Sequence, residues 1–373
     1  MKLSKNIAFL FFVSVWILRI IKIGFIIDHG ILSDFNLFYQ AVNHLFGPDQ
    51  NLNLVIKSSY GPPFIYLPFL IFINMPFKVA EISITLVSII GYLFAFYYLW
   101  KSYYKETTAL FWLLLGVMSF SFPISYSLGM GNPIGIVTLG VYSLFVLKDN
   151  FWKRFLFVIS SLLKIFPISV LSYFVFNKLN KKELFYSLMS LLTGLLLSIV
   201  LLPKNIWFEY LIWLNKINPI NKEIINPSIY NQSYSSTVSR FLKITDLPPF
   251  YYHFFIFVLI AVVVYYIWLS KKRIKVEPLD ASVFILSFSL LIHPYPWQYY
   301  FAVLLPYLVL KVASKNYIFL IPLILMSIDG NRFFWSGLLK YFFDSAQFFS
   351  TLILFFMILF SYLYKIKVRT YKL

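Results

Sequence analysis

Thirteen apolar segments separated by short lysine-bearing connections limit this chain more than any other feature. They fall at about 6–27, 63–77, 80–100, 109–124, 132–147, 153–164, 166–177, 183–203, 249–270, 281–293, 297–312, 316–328 and 346–364. A bilayer core of about 30 Å is crossed by about 20 helical residues. Of the 373 residues only 12% are charged and 60% are hydrophobic, which is too little charge to cover a water-facing surface. The expected fold is therefore an all-α polytopic membrane protein. The chain has no cysteine, so disulfides and thiolate chemistry are excluded. No internal repeat, heptad run or low-complexity segment interrupts the pattern.

The formal charge of +18 is spread between apolar segments rather than gathered in an arm or on one face. That is the distribution of the positive-inside rule, not of a nucleic-acid binder. The basic residues also count the crossings. If all thirteen segments crossed, the connections 101–105, 178–182 and 271–275 would lie on the side opposite to Lys2 and Lys5. Removing the crossing at 63–77 corrects every connection at once. PPFIYLPFLIFINMPF is thus expected to rest in the outer leaflet without crossing, broken at Pro68 and Pro76.

Twelve crossings remain, with N- and C-termini cytoplasmic and the first helix kept as a signal anchor, since no small-residue cleavage site follows it. We read residues 1–373 as a single integral-membrane domain of the cell membrane. The first external loop, 28–79, carries two interfacial helices, and a long external loop spans 204–248. Several crossings have only about 12–16 residues, too short to span unaided, which points to a cavity reaching down from the outer face.

The external connections hold the unusual polar residues. Asp34 begins a short helix with Phe35, Phe38, Val42, Leu45 and Phe46 on one face and Asn36, Gln40, Asn43 and His44 on the other. Position alone leaves two roles open: Ser33 or Asp34 caps the helix, or Asp34 is a general base just outside the membrane. Lys164, in the apolar run FLFVISSLLKIFPISVLSYFVF, either snorkels to the interface or meets a phosphate beside the helix break at Pro167. GMGNP at 129–133 is a tight turn with no dinucleotide fingerprint around it; helix packing explains it as well as ligand approach does. In NPSIYNQSYSSTVSRF, 226–241, Arg240 suits a phosphate bidentately, although a plain polar loop reads the same way. His293, in HPYPW, serves either as a hydrogen-bond donor to a phosphate or sugar hydroxyl or as a structural residue. No metal-ligand spacing and no paired Asp motif for a nucleotide-bound cation is present, so no metal and no cofactor are expected.

The ordered set of these residues resembles the membrane-embedded GT-C glycosyltransferases, most closely glycosyltransferase family 87, the polyprenyl-phosphate-mannose-dependent α-mannosyltransferases. The matching pieces are Asp34 with Phe38, Tyr39 and Ala41; Tyr60-Gly61-Pro62-Pro63; the turn from Gly129 to Pro133; Lys164-Ile165-Phe166-Pro167; Asn231-Gln232-Ser233 with Arg240; and Pro296-Trp297. Met130 and Gly131 stand where the family has a Gly-Gln pair, and Tyr-Gly-Pro-Pro replaces Tyr-x-Tyr-Pro-Pro. The resemblance implies a GT-C-type bundle of about 12 transmembrane helices with juxtamembrane helices in the first loop. It also implies an inverting hexosyltransferase that takes a mannose-like sugar from a polyprenyl-phosphate carrier and needs no nucleotide. The acceptor would be a hydroxyl of a lipid-linked or glycan substrate on the extracytoplasmic face. Asp34 would be the catalytic base, and Lys164, Arg240, His293, Asn132, Tyr60 and Gln232 would contact substrate or donor phosphate.

Two other classes share the same demands. A lipid-linked-sugar flippase or transporter also needs a phosphate cavity, but transporters of this kind are built from inverted repeats and no such symmetry is visible. A glycan polymerase or ligase shares the donor type but moves a whole glycan.

Overall fold

A computed structural model describes residues 4–28, 33–46, 62–104, 106–171, 181–217, 230–242, 249–272, 277–293, 296–329 and 336–370. Among these the elements are α- and 3-10 helices, with one isolated antiparallel bridge between Asn231 and Trp297. Five helices are long and apolar enough to cross a membrane, or six if the bent pair Ala109–Met118 and Phe122–Gly129 counts as one span. Shorter apolar helices occupy most of the remaining expected segments. The contacts divide the chain into two compact units: Met1–Pro167 with Tyr186–Pro219, and Ile168–Phe185 with Ile220–Leu373.

The first unit contains α1 (Lys5–Asp28), α2 (Ser33–Phe46), a 3-10 helix (Pro63–Phe72), α3 (Phe77–Tyr103), α4 (Ala109–Met118), α5 (Phe122–Gly129), α6 (Ile134–Val146) and α7 (Asn150–Leu163). Side-chain caps start three of these helices, the first being α1, where Ser4 Oγ accepts from Ile7 N–H at 3.2 Å. The Thr108 hydroxyl accepts from Phe111 N–H at 3.4 Å, and the Asp149 carboxylate accepts from Phe151 and Trp152 N–H at 2.9 and 3.0 Å, satisfying donors that a first turn leaves open. A bend of 56° separates α4 from α5, where Pro123 begins the new helix.

Contacts between helices fix their relative senses. Trp16 donates to the Leu115 carbonyl at 3.3 Å, Phe9 and Phe12 pack on Trp112, and Ile26 lies beside Gly129, so α1 runs in the same direction as α4 and α5. Phe96 and Trp100 near the end of α3 meet Phe111 at the start of α4, so α3 runs the opposite way. Ser88 meets Asn132 and Gly91 meets Gly135, which makes α6 parallel to α3. Ser143 bonds to Lys153, and Gly140 lies against Leu156 and Ser160, so α7 returns antiparallel to α6. The α3–α6 crossing is backbone on backbone: a Cβ on Gly91 would sit 2.6 Å from the Gly135 carbonyl carbon, and one on Gly135 would strike the Ser88 carbonyl oxygen.

These senses bring the last turn of α1, all of α2, the first turn of α3, the 130–133 turn and the last turn of α7 to one end of the unit. There α2 packs as its amphipathic pattern predicts, with Phe35, Phe38, Val42 and Leu45 buried; Phe46, expected on that face, is exposed. Phe35 lies among Phe69, Phe72 and Phe77 at centroid distances of 6.4, 5.5 and 6.0 Å, and Phe38 stacks on Phe69 at 4.7 Å. The Tyr39 hydroxyl donates to the Met75 carbonyl at 2.6 Å. The 3-10 helix Pro63–Phe72 differs from expectation in one respect. Pro68 lies inside it rather than at a break, and the chain turns instead at Asn74, with φ 61°, before Pro76 caps α3. Ten residues at about 2.0 Å each reach about 20 Å, well short of a bilayer core.

Helix α8 (Lys181–Leu201) has residues in both units, and α9 (Lys204–Ile217) belongs to the first. Of the expected segment 166–177 only the 3-10 turn Phe166–Leu171 is among the described residues.

The second unit contains α10 (Tyr234–Leu242), α11 (Pro249–Lys272), α12 (Pro278–Ile292), a 3-10 turn (Gln298–Leu304) running into α13 (Leu305–Ala313), α14 (Leu320–Ser327), α15 (Gly337–Asp344) and α16 (Ala346–Thr370). Its core stacks Phe284 of α12 on Phe355 of α16 at 4.4 Å and on Tyr266 of α11 at 4.1 Å. A polar clamp joins α12 to α13: Lys311 Nζ lies 2.6 Å from the Asp280 carboxylate, which also accepts from the Tyr307 hydroxyl at 2.8 Å.

Candidate functional site

Asp34 lies in the first turn of α2, where the helix dipole favours an anion. Its carboxylate does not spend itself on capping. The side-chain amide of Asn132 donates to Asp34 Oδ2 at 3.0 Å, across 98 residues of chain. A second bond fixes the same junction, from the Phe35 N–H to the Met130 carbonyl at 3.3 Å. Asp34 is half-buried, with its neighbour Phe35 locked in the aromatic cluster, so the carboxylate has a defined place.

The 130–133 turn is built to hold that amide. Gly131 takes φ 64°, a left-handed conformation glycine adopts without strain, and Asn132 N–H closes the turn on the Ser127 carbonyl at 2.9 Å. The Asn132 carbonyl accepts from the hydroxyls of Ser88 and Ser127 at 3.2 and 3.1 Å, while Ser88 Oγ accepts from Gly135 N–H at 3.1 Å. Residues on α3, α5 and α6 thereby converge on one asparagine and, through it, on one carboxylate.

Lys164 ends α7 in an extended conformation, φ −149° and ψ 135°, and is buried. Because α7 is antiparallel to α6, Lys164 lies at the same end of the unit as Asn132. The structure therefore brings Asp34, Asn132 and Lys164 to one end of the first unit. Tyr60 lies outside the described residues.

Gln232, Arg240 and His293 belong to the second unit. Arg240 Nε and Nη2 donate to Ser345 Oγ at 3.1 and 2.8 Å, Nη1 to the Asn231 carbonyl at 2.9 Å, and Nη2 to Thr237 Oγ1 at 3.2 Å. Burial pulls the guanidinium down to about 10, opposed by the carboxylate of Asp344, and burial pushes Asp344 above the ordinary carboxylate range, opposed by Arg240 and Lys340. Gln232 donates to the Asp344 carbonyl at 2.7 Å and accepts from Phe348 N–H at 3.2 Å. Its own N–H bonds to Pro296 at 3.0 Å, and Gln298 N–H returns to Tyr230 at 3.0 Å. The Asn-Gln-Ser and Pro-Trp elements, 65 residues apart by the Asn231 to Pro296 spacing, are thus one bridged pair held by Arg240. His293 caps α12, edge-on to Tyr300 at 5.6 Å.

Among the described residues no group of three His, Asp or Glu is placed to hold a metal ion. The first unit thus holds a half-buried, amide-bound carboxylate and a buried lysine at one end, and the second unit separately holds the bridged polar motifs. A profile of glycosyltransferase family 87 matches residues 60–294, more than half of the chain. The chain belongs to glycosyltransferase family 87. No curated protein and no solved structure matches it.

The family 87 match takes in Asn132, Lys164, Gln232, Arg240 and His293 but begins after Asp34. The link from Asp34 to the matched region is therefore the 3.0 Å bond to Asn132 rather than the profile. Sequence reasoning on this glycosyltransferase did not find Ser88, Ser127 or Ser345, because a lone serine in an apolar helix carries no signal. One signal was present on α3, where Glu81, Thr85, Ser88 and Tyr92 recur at helical spacing in an otherwise apolar helix.

Proposed function

We propose that this family 87 enzyme is an integral-membrane hexosyltransferase that moves a mannose-like sugar from a polyprenyl-phosphate donor to a hydroxyl of a lipid-linked or glycan acceptor. The reading carries over the expected topology, with about twelve crossings, both termini cytoplasmic and the reacting end extracytoplasmic. The alternating senses of α1, α3, α4 with α5, α6 and α7 support it, as does the return of α2 and the 3-10 helix Pro63–Phe72 to the end where α1 finishes and α3 starts.

The observation that carries the mechanism is the Asn132–Asp34 bond. A carboxylate is an acceptor only, and an amide N–H on one oxygen orients it while leaving the other for a substrate proton. Asp34 takes the proton of the acceptor hydroxyl as that oxygen forms its bond to the anomeric carbon. The bond from that carbon to the phosphate oxygen breaks, the configuration inverts, and polyprenyl phosphate leaves. Lys164 stabilises the charge gathering on the departing phosphate. Arg240, His293, Gln232 and Tyr60 enter as donor or substrate contacts on the order of the family's motifs. For Arg240 and Gln232 the bridged frame of 230–232 and 296–298 adds a positioning role.

The test is turnover by the purified protein in lipid with labelled polyprenyl-phosphate mannose and a panel of hydroxyl acceptors. Release of lipid phosphate with transfer of label, lost in Asp34→Asn, is the expected result. Movement of the labelled lipid between leaflets without cleavage would overturn the transferase reading of this chain.

A further inference from the structure

The outer half of α3 carries polar atoms that no neighbour satisfies. Glu81 is 1% exposed and neither carboxyl oxygen has a hydrogen-bond partner; Thr85, 4% exposed, has an unpartnered hydroxyl; Asn132, 1% exposed, has an unpartnered Oδ1 beside its bond to Asp34. Buried polar groups are paired in all but a few cases, so three on adjoining surfaces are unusual in a segment this apolar.

Their placement follows from contacts already described. At one point of α3, Phe77 packs on Phe35, next to Asp34; eleven residues on, Ser88 bonds to Asn132, which holds Asp34. At about 100° per residue, Phe77, Glu81, Thr85 and Ser88 fall within about 80° of one helix face, and Glu81 lies about 10 Å along the axis from Ser88. Glu81 and Thr85 thus lie along α3 between Phe77, which touches Phe35 of α2, and Ser88, which reaches α2 only through Asn132.

The chemistry of the set excludes one ligand and fits another. A carboxylate oxygen and an amide oxygen are acceptors, and a threonine hydroxyl both donates and accepts. A phosphate brought against Glu81 beside Asp34 would meet two carboxylates, with the Lys78 ammonium already engaged electrostatically by Glu81. A ring of neighbouring hydroxyls supplies the donors these oxygens need, with a carboxylate spanning two adjacent hydroxyls. Position separates the set from the lysine as well. Helix α6 meets α3 through Gly135 and α7 through Gly140, and these positions lie about 140° apart around α6. The acceptor-rich stripe and Lys164 therefore stand on different flanks of the Asp34–Asn132 pair.

We propose that Glu81, Thr85 and Asn132 Oδ1 form the subsite for the sugar ring of the acceptor substrate, binding it through its hydroxyls and presenting one of them to Asp34. This rests on the inverting transferase reading, in which the attacking hydroxyl and the departing phosphate occupy opposite sides of the anomeric carbon. Glu81 and Thr85 bind and orient; neither takes the proton.

The experiment uses the purified full chain in lipid nanodiscs with two probes: octyl α-mannoside, which has the ring hydroxyls and no phosphate, and dodecyl phosphate, which has the phosphate and no ring. Glu81→Gln and Thr85→Val are expected to weaken mannoside binding at least tenfold and to leave dodecyl phosphate binding within twofold, which also shows the variants are folded. Thr85→Ser, which keeps the hydroxyl, is expected to retain mannoside binding, and Lys164→Met to show the reverse selectivity. Mannoside binding that Glu81→Gln leaves unchanged, or wild-type protein that binds no mannoside, overturns the subsite. A rise in KM for polyprenyl-phosphate mannose with unchanged mannoside affinity also overturns it, because it places the donor's sugar there instead. Failure of the transferase reading looks different: wild-type protein would release no lipid phosphate while the mannoside result still held.

Discussion

The side-chain amide of Asn132 holds the carboxylate of Asp34 at 3.0 Å, joining the start of α2 to the turn that begins α6. On the proposed mechanism this bond separates a residue that reacts from one that positions. Asp34→Asn keeps the shape and removes the acceptor of the proton, so kcat is expected to fall by about 10²–10⁴ with membrane insertion and thermal stability unchanged. Turnover of the purified variant beside its melting curve checks it. Near wild-type turnover would sink the assignment of the base.

Asn132→Ala removes the orienting bond and leaves the carboxylate. We expect kcat to fall by a smaller factor, about 10-fold to 100-fold, with KM raised for the acceptor and little changed for the donor, because orientation of the base and the acceptor contact of Oδ1 are lost together. Steady-state kinetics that show a rise in donor KM with kcat unchanged would make Asn132 a donor-binding residue rather than one that orients Asp34.

Lys164→Met deletes the cation that, on the proposed mechanism, meets the leaving phosphate. A loss of kcat/KM of about 10²-fold or more is expected, with Lys164→Arg recovering part of it by keeping the charge. Equal activity of the Met and Arg variants would show that charge at this position is not used.

Gly135→Ala tests the crossing that sets the position of Asn132. A methyl there would strike the Ser88 carbonyl oxygen, and Ser88 bonds to Asn132, so the cost falls on stability and on catalysis together. Overpacking of this kind destabilises by about 1–3 kcal/mol. A melting curve with parallel turnover measures both, and a fully active, fully stable variant would contradict the close α3–α6 contact.

Arg240→Met empties the centre of the second unit's polar frame and removes the positive charge that lowers Asp344. Leaving the buried oxygens of Asn231, Thr237 and Ser345 without their donor is expected to destabilise by about 1–3 kcal/mol. The pH dependence has a definite sign. Asp344 is raised in the folded protein, so its contribution to stability is present below the ordinary carboxylate value and lost as pH rises through the elevated one. Without Arg240 that elevation grows, and the melting temperature of the variant should decline more steeply with rising pH than that of the wild type. Parallel slopes across a pH series would remove Arg240 from the account of Asp344.

The apolar spacing made the helices legible, and segments such as 80–100, 249–270 and 346–364 appear as long helices close to their expected bounds. The amphipathic face of α2 was readable because Phe35, Phe38, Val42 and Leu45 share one side at helical spacing. Pro68 misled, since proline breaks an α-helix by losing its bond four residues back but sits without conflict in a 3-10 turn bonded at three. The role of Asn132 was beyond local pattern. An asparagine after Gly-Met-Gly reads as turn chemistry, and only the long-range return of α2 to that turn shows which side chain it holds. For the same reason the sequence left Arg240 between a phosphate contact and a plain loop residue and did not show its partners, Asn231 and, 105 residues away, Ser345.

The aromatic bed beneath α2 bears on how the protein meets its membrane. The helix that carries Asp34 grips Phe69, Phe72 and Phe77 of its own chain, so its seat is set by protein rather than by lipid. Long helices such as α1 and α3 tilt to suit the thickness of the bilayer around them. A carboxylate anchored to a turn and an aromatic bed is spared much of that adjustment. The Asp34 end is in this sense mechanically insulated from its solvent, and on the proposed mechanism acyl-chain length should change how the protein sits in a bilayer more than how fast it turns over.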